Sequence, residues 1–292
     1  MKSQKMHLVL NKIKITTALL LLAATVIAAF SAVSIAQILV DIDVRYVPGY
    51  ETIDLRTLSG IEDGSFSDAG YDVVFRQTGL GKDAVDRVFH TESNPVAALE
   101  AYQNAFFNPP GYECYSIGII TREERLFDDE GMVTRAYRLA DVRDGDIFIT
   151  KATHSIGWRH GHGAIVIDAE KGKTLEAVLW GYPTEIQNVS KWRTYPTFVQ
   201  LRPKEKAFGA KAAKIAPECL LGVDYGLLTG LVSKYVDPPK TTQCAHLPWY
   251  AYMSLGCDID SNGGWLVTPR DIVGSKYLDV VQIYGVDPDK IW

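Results

Sequence analysis

The sequence predicts an α+β protein, and three observations carry that expectation. Between Asp144 and Leu179, three β-type runs are joined by short connections, which reads as an antiparallel meander. Downstream, Leu247, Ala251 and Leu255 recur at helical spacing around Cys244, with Trp249 and Tyr252 broadening the apolar face. On the N-terminal side, helix signals lie between Asp83 and Phe106.

Taken in order, the chain begins with Lys2, Lys5, Lys12 and Lys14, followed by 22 uncharged, mostly apolar residues from Ile15 to Ala36. That run exceeds the usual core of a signal peptide and is long enough to span a bilayer. Ser34-Ile35-Ala36 has the small-x-small shape of a cleavage site, so residues 1–40 are expected to be a signal peptide or a membrane anchor. The positive N-terminal flank places everything after Val40 outside the cytoplasm, whether secreted or anchored. With no cysteine before Cys114, a lipoprotein anchor is excluded. The formal charge of −5 would become −9 on loss of those four lysines, since no acid precedes Asp41. Such a balance argues against nucleic acid as a partner, because phosphate binding needs clustered Lys and Arg.

Residues 41–139 are expected to form a tether and an accessory helical extension. Pro48-Gly49 and Gly60 to Gly70 punctuate a polar stretch up to about residue 70. Arg76-Gln77-Thr78-Gly79-Leu80-Gly81-Lys82 invites a phosphate-loop reading. It lacks the first glycine at the right distance and has Asp83 where Ser or Thr is needed, so that reading is rejected. A helix is predicted from Asp83 to His90, and another with Asn94 as cap and Pro95 at its first position, presenting Ala98, Tyr102 and Phe106 on one face. The segment after Asn108-Pro109-Pro110-Gly111 has no clear pattern.

Strands are predicted at 144–150, 162–168, 174–179 and 198–201, with 280–284 closing the sheet. Lys204 to Leu221 is Ala-rich and helical, with Pro217 a kink or break. In the Cys244 helix, Thr242 is the expected N-cap, Gly256 the stop, and Pro248 falls in the tolerated first turns. Cys244 would then sit in an opening turn, where unpaired N–H groups and the helix dipole favour a thiolate. The alternative is a buried structural cysteine. The four cysteines show no CxxC spacing and no compact disulfide framework.

A thiol hydrolase needs a base and a group that orients it. His162 opens a predicted strand after the loop Trp158-Arg159-His160-Gly161, and Glu176 lies in the neighbouring strand of the hairpin, within cross-strand reach. A carboxylate on one imidazole nitrogen fixes the tautomer and turns the other nitrogen to the thiol. Competing readings are a zinc site, with His160-x-His162 joined by Cys244 or Glu176, and a catalytically silent binding module.

The blocks GDIFIT (145–150), HGHGAIVID (160–168), TLEA (174–177), QCAHLPWYAY (243–252) and DIDSNGGWLVTPRDI (258–272) resemble the permuted papain-like cysteine hydrolases, the YiiX/YebB-like and YycO-like branch of the NlpC-type cell-wall hydrolase superfamily. Most NlpC-type enzymes carry Cys before His; here His162 and Glu176 precede Cys244, the order of the circularly permuted branch. The resemblance covers about residue 140 to the C-terminus, so 140–292 is the expected catalytic domain. It implies Cys244 as nucleophile, His162 as base (His162-Gly163-Ala164-Ile165 fits the H-x-[GA]-I pattern) and Glu176 as orienting acid. Many relatives have Ser after the nucleophile, whereas this chain has Ala245. The fold implied packs the Cys helix against an antiparallel sheet, with Trp158, Trp180 and Tyr225 as candidates to line the cleft. No cofactor or metal is expected. The implied activity is an exported amidase or peptidase acting on cell-wall peptide, with thiol acyltransfer or thioester cleavage on lipid or N-acyl substrates as the alternative.

Overall fold

The computed structural model describes residues 2–41, 45–118, 120–231 and 233–292. Helix α1 (Lys2–Asp41) contains the uncharged run, and its segment Lys14–Ala32, 19 residues, is long and apolar enough to cross a membrane. At about 1.5 Å per residue that segment is roughly 28 Å long, close to the thickness of a bilayer's hydrocarbon core. The start of the expected tether, residues 42–44, lies outside the described residues.

From residue 45 the chain is packed against the protein rather than extended as a tether. Tyr46 N–H donates to the Gly285 carbonyl (3.0 Å), and Leu55, Ile61 and Phe66 are buried. They share a core with α2 (Asp68–Thr78), α3 (Lys82–Thr91) and α4 (Pro95–Phe107). Asn94 caps α4 as expected, accepting from Ala97 N–H at 3.1 Å, with Pro95 at the start. The sequence reading missed α2, whose cap Ser67 accepts from Gly70 N–H at 3.2 Å; Gly70, read as turn punctuation, lies inside its first turn.

The unpatterned segment supplies β1 (Tyr112–Ser116) and β2 (Thr121–Leu126), which with β4 (Thr153–Ser155) form a three-stranded antiparallel sheet in the order β1-β2-β4. Six strands form the main sheet: β3 (Ile147–Thr150), β5 (His162–Asp168), β6 (Lys173–Glu176), β7 (Glu185–Asn188), β8 (Phe198–Pro203) and β9 (Leu278–Tyr284). Their order is β7-β6-β5-β3-β8-β9, antiparallel throughout. The third strand of the meander stops at Glu176, short of the expected Leu179.

Alternation along the strands builds two cores. Ile147, Ile149, Ile165 and Val199 face α5 (Lys206–Leu220) and α6 (His246–Met253). Phe148, Ala164, Val166 and Phe198 face Tyr137, Trp192 and Tyr195 on the other side. Helix α5 runs through Pro217, which falls in its last turn, and ends at Leu220. A short α7 (Pro269–Val273), closed by a Thr268–Asp271 capping box, precedes β9.

The rejected phosphate loop has a packing role. Gly79-Leu80-Gly81 lies alongside β9, where Ile283 N–H donates to Gly79 C=O (2.7 Å) and Gly81 N–H to Val281 C=O (2.8 Å). A Cβ at Gly79 would stand 2.2 Å from the Ile283 oxygen, and one at Gly81 2.1 Å from that of Val280. Glycine is required there because two backbones meet without room for a side chain. Asp83 pairs with Arg202 of β8, which also holds the buried Asp146 through Nε at 2.8 Å and Nη2 at 2.7 Å. These contacts join the helical layer to the sheet that carries the candidate site.

Candidate active site

His162 opens β5 and Glu176 ends β6, and the register pairs Ala164 with Glu176. The two side chains are therefore diagonal neighbours on one face of adjacent strands. His162 Nε2 lies 2.9 Å from Glu176 Oε2. The Cys244 side chain lies beside the same imidazole and raises its pKa; with Nε2 committed to Glu176, Nδ1 is the nitrogen left to face the sulfur. Residues from two separated parts of the chain thus form one line, thiol to imidazole to carboxylate, all of it buried.

Cys244 lies just ahead of the helix rather than in its opening turn. α6 begins at His246 with Ala245 as cap residue, and no side chain caps it there. Thr242 is not the N-cap; its hydroxyl is 2.9 Å from His246 Nδ1. Gln243 serves the helix start instead. Its Oε1 accepts from Ala245 N–H (2.9 Å) while its Nε2 donates to the Val267 carbonyl (2.6 Å). Those two partners fix which end of the amide faces which way. The Cys244 thiol points at the same Oε1, at 3.6 Å. Gly163 allows this segment to lie on the strand, since a Cβ there would be 3.3 Å from the Cys244 carbonyl oxygen and 3.0 Å from Ile149 Cδ1.

Glu176 is fully satisfied. Thr174 Oγ1 (2.8 Å) and Trp192 Nε1 (2.9 Å) donate to Oε1, while Lys191 Nζ (3.0 Å) shares Oε2 with His162. Burial alone would raise its pKa, but Lys191 and then His162 hold it well below the usual carboxylate range. Burial likewise disfavours the imidazolium of His162, yet its interactions with Cys244 and Glu176 outweigh it and raise the pKa to about 9. Trp192 stacks on the imidazole, ring centroids 5.4 Å apart and planes 9° from parallel, covering the His162–Glu176 bond. Trp192, Lys191 and Gln243 were not singled out from sequence. Trp192 is a lone aromatic in a polar turn (189–194), and no spacing rule ties it to a strand that ended 16 residues earlier.

His160 is held elsewhere: its Nε2 is 3.0 Å from Ser155 Oγ and its Nδ1 2.6 Å from the Gly161 carbonyl, and burial lowers its pKa. The geometry separates the two histidines in favour of His162. Of the three candidate cleft residues, Tyr225 is near the thiol; burial, and then the charge at Cys244, raise its pKa. Trp158 packs edge-on against His160, and Trp180 is 64% exposed beyond the end of β6. Neither hydrogen-bonds to His162 or Glu176. Among the described residues, the one group of three or more metal-binding side chains is Cys114, Glu124 and His154, not the His160–His162 pair.

Compared with protein-family models, curated proteins and solved structures, the chain matches none.

Proposed function

We propose that the chain is a cysteine hydrolase of amide bonds, with Cys244 as nucleophile, His162 as general acid and base, and Glu176 as the positioning carboxylate. The observation that carries this reading is the buried thiol–imidazole–carboxylate line, whose carboxylate is saturated by four donors. Cys244 gives its proton to His162 Nδ1, and the thiolate attacks the substrate carbonyl carbon. The resulting oxyanion is held in part by the backbone N–H of Cys244. As the C–N bond breaks, the imidazolium protonates the leaving amine. A water molecule, deprotonated by His162, then cleaves the thioester, giving a carboxylic acid and regenerating the thiol.

His and Glu on adjacent antiparallel strands, followed in sequence by a Cys ahead of a helix, is the order expected of a circularly permuted papain-like domain, and we read residues 140–292 in that way. With an N-terminal segment able to cross a membrane, the favoured substrate is an extracytoplasmic amide, namely cell-wall peptide. One observation favours the second reading, an N-acyl or lipid acyl substrate. Leu227, Leu228, Leu231 and Val236 are exposed in the segment that follows Tyr225, with Trp265 beside Gly230 and 75% exposed.

The test is acylation of the full chain in detergent by stem peptides and, separately, by N-acyl lipids, read by intact-protein and peptide mass spectrometry. The expected result is an acyl-thioester on Cys244 and hydrolysis lost by at least ~10³-fold in Cys244→Ala and His162→Ala. Amide hydrolysis that survives Cys244→Ala would overturn the reading. Whichever substrate set acylates the thiol decides between the two.

A further inference from the structure

Away from Cys244, the small sheet carries a second set of chemistry-bearing side chains. Register pairs Cys114 directly with Glu124, and Arg122 with His154, so Cys114, Glu124 and His154 share one face across β1, β2 and β4. Cys114 Sγ is 3.4 Å from His154 Nε2, and that same nitrogen is 3.6 Å from Glu124 Oε1. All three ligand atoms lie within 4.8 Å of one another, with Glu124 and His154 buried and Cys114 half-buried. We propose that Cys114, Glu124 and His154 bind a zinc-class divalent transition-metal ion.

Two of the three spacings are those of a coordination shell. Bonds of about 2.0–2.3 Å in a tetrahedron put neighbouring ligand atoms roughly 3.3–3.8 Å apart. One ring nitrogen has a single lone pair or a single hydrogen, so it cannot bond well to a sulfur and a carboxylate oxygen at once. A cation between the three satisfies them together. Thiolate, imidazole and carboxylate select zinc-like ions over calcium or magnesium, which take oxygen shells.

Arg159 serves as the outer support: its Nη1 donates to Glu124 Oε2 (2.9 Å) and its Nη2 lies 2.8 Å from Oε1, which fixes the carboxylate. Thiolate and carboxylate balance the dication. The exposed side of Cys114 leaves the fourth position to water. Bound metal would tie β1, β2 and β4 together just before the 156–161 loop, which leads into His162 and is held to the small sheet by Ser155 Oγ at His160 Nε2 (3.0 Å).

The test uses the full chain in detergent, stripped with chelator and titrated with Co²⁺ and then Zn²⁺. One equivalent of Co²⁺ should bind and give a thiolate-to-cobalt charge-transfer band, which Zn²⁺ bleaches. The band should persist in Cys244→Ala and vanish in Cys114→Ser, and His154→Ala should weaken zinc affinity by at least ~100-fold. Folded wild-type protein that binds neither ion stoichiometrically overturns the proposal, as does a band lost with Cys244 but kept without Cys114. Should Cys114→Ser fail to fold, Glu124→Gln takes its place: unchanged zinc affinity and stoichiometry in that variant also overturn it.

Discussion

His162 is a side chain whose charge is set by its neighbours, and that gives the site a pH signature. In the folded protein its pKa is raised from 6.5 to about 9, so its contribution to stability is complete below about 6.5 and is lost as pH climbs through 9. Glu176 has the opposite sign. Its pKa is lowered from 4.5, so its contribution is present above 4.5 and is lost as pH falls through the folded value. Because the imidazolium must protonate the leaving amine, kcat/KM should fall on the alkaline side with a midpoint near 9. Glu176→Gln removes the carboxylate that holds the charge, so that midpoint should move down in pH while kcat drops by ~10–100-fold. A pH–rate profile of the two proteins checks this. An unmoved alkaline limb would mean that Glu176 does not tune His162. Trp192→Phe keeps the stack and the Glu176 charge but removes the indole N–H, so the same limb should move far less than in Glu176→Gln.

At the scale of elements, the site depends on how closely the Cys244 segment sits on β5. Gly163→Ala places a Cβ 3.0 Å from Ile149 Cδ1 and 3.3 Å from the Cys244 carbonyl, so either the strand or the segment must shift by a few tenths of an ångström. The expected cost is about 1–2 kcal/mol. Tm should fall by a few degrees, and kcat should fall more than KM rises, because the sulfur is displaced from His162. A variant with wild-type melting and turnover would show that the contact does not position the thiol. Gly163 also marks how far the sequence alone reaches. Periodicity located the helices at 83–90, 95–106 and 204–221 and the strands that bear His162 and Glu176, because each pattern repeats within one element. The small sheet was not legible: β1 reads Tyr-Glu-Cys-Tyr-Ser and β2 Thr-Arg-Glu-Glu-Arg-Leu, whose charged residues find partners only in the assembled structure. The cap of α6 was misread for a related reason. A Thr two residues before a Cys fits the local rule, whereas Gln243 takes the Ala245 N–H ahead of the helix with its amide held by Val267, from a distant loop. Trp192 belongs to the same class, a contact made by folding and written in no spacing.

Over the whole molecule, the helical layer and the sheet are one packed body from residue 45 onward, and α1 stands apart in character. Its Lys14–Ala32 segment is uncharged after Lys14, whereas the body buries its apolar side chains in three cores. A run of 22 apolar or small residues exceeds the 7–15-residue core of a signal peptide, and the helix continues unbroken past Ser34-Ile35-Ala36 to Asp41. A cleavage site needs extended backbone in the peptidase, and a continuous helix opposes it. The expected outcome is therefore retention as an anchor. The chain should sediment with membranes, resist carbonate extraction and yield to detergent, and mass spectrometry of the mature protein should find peptides from before Ala36. If the four lysines ahead of the span hold that end in the cytoplasm, protease added from outside should digest the body and leave a membrane-bound N-terminal fragment. A soluble mature chain beginning after Ala36 would instead make the segment a signal peptide. In that case nothing would tether the body to a bilayer, and the lipid-substrate reading would rest on the exposure of Leu228 and Trp265 alone.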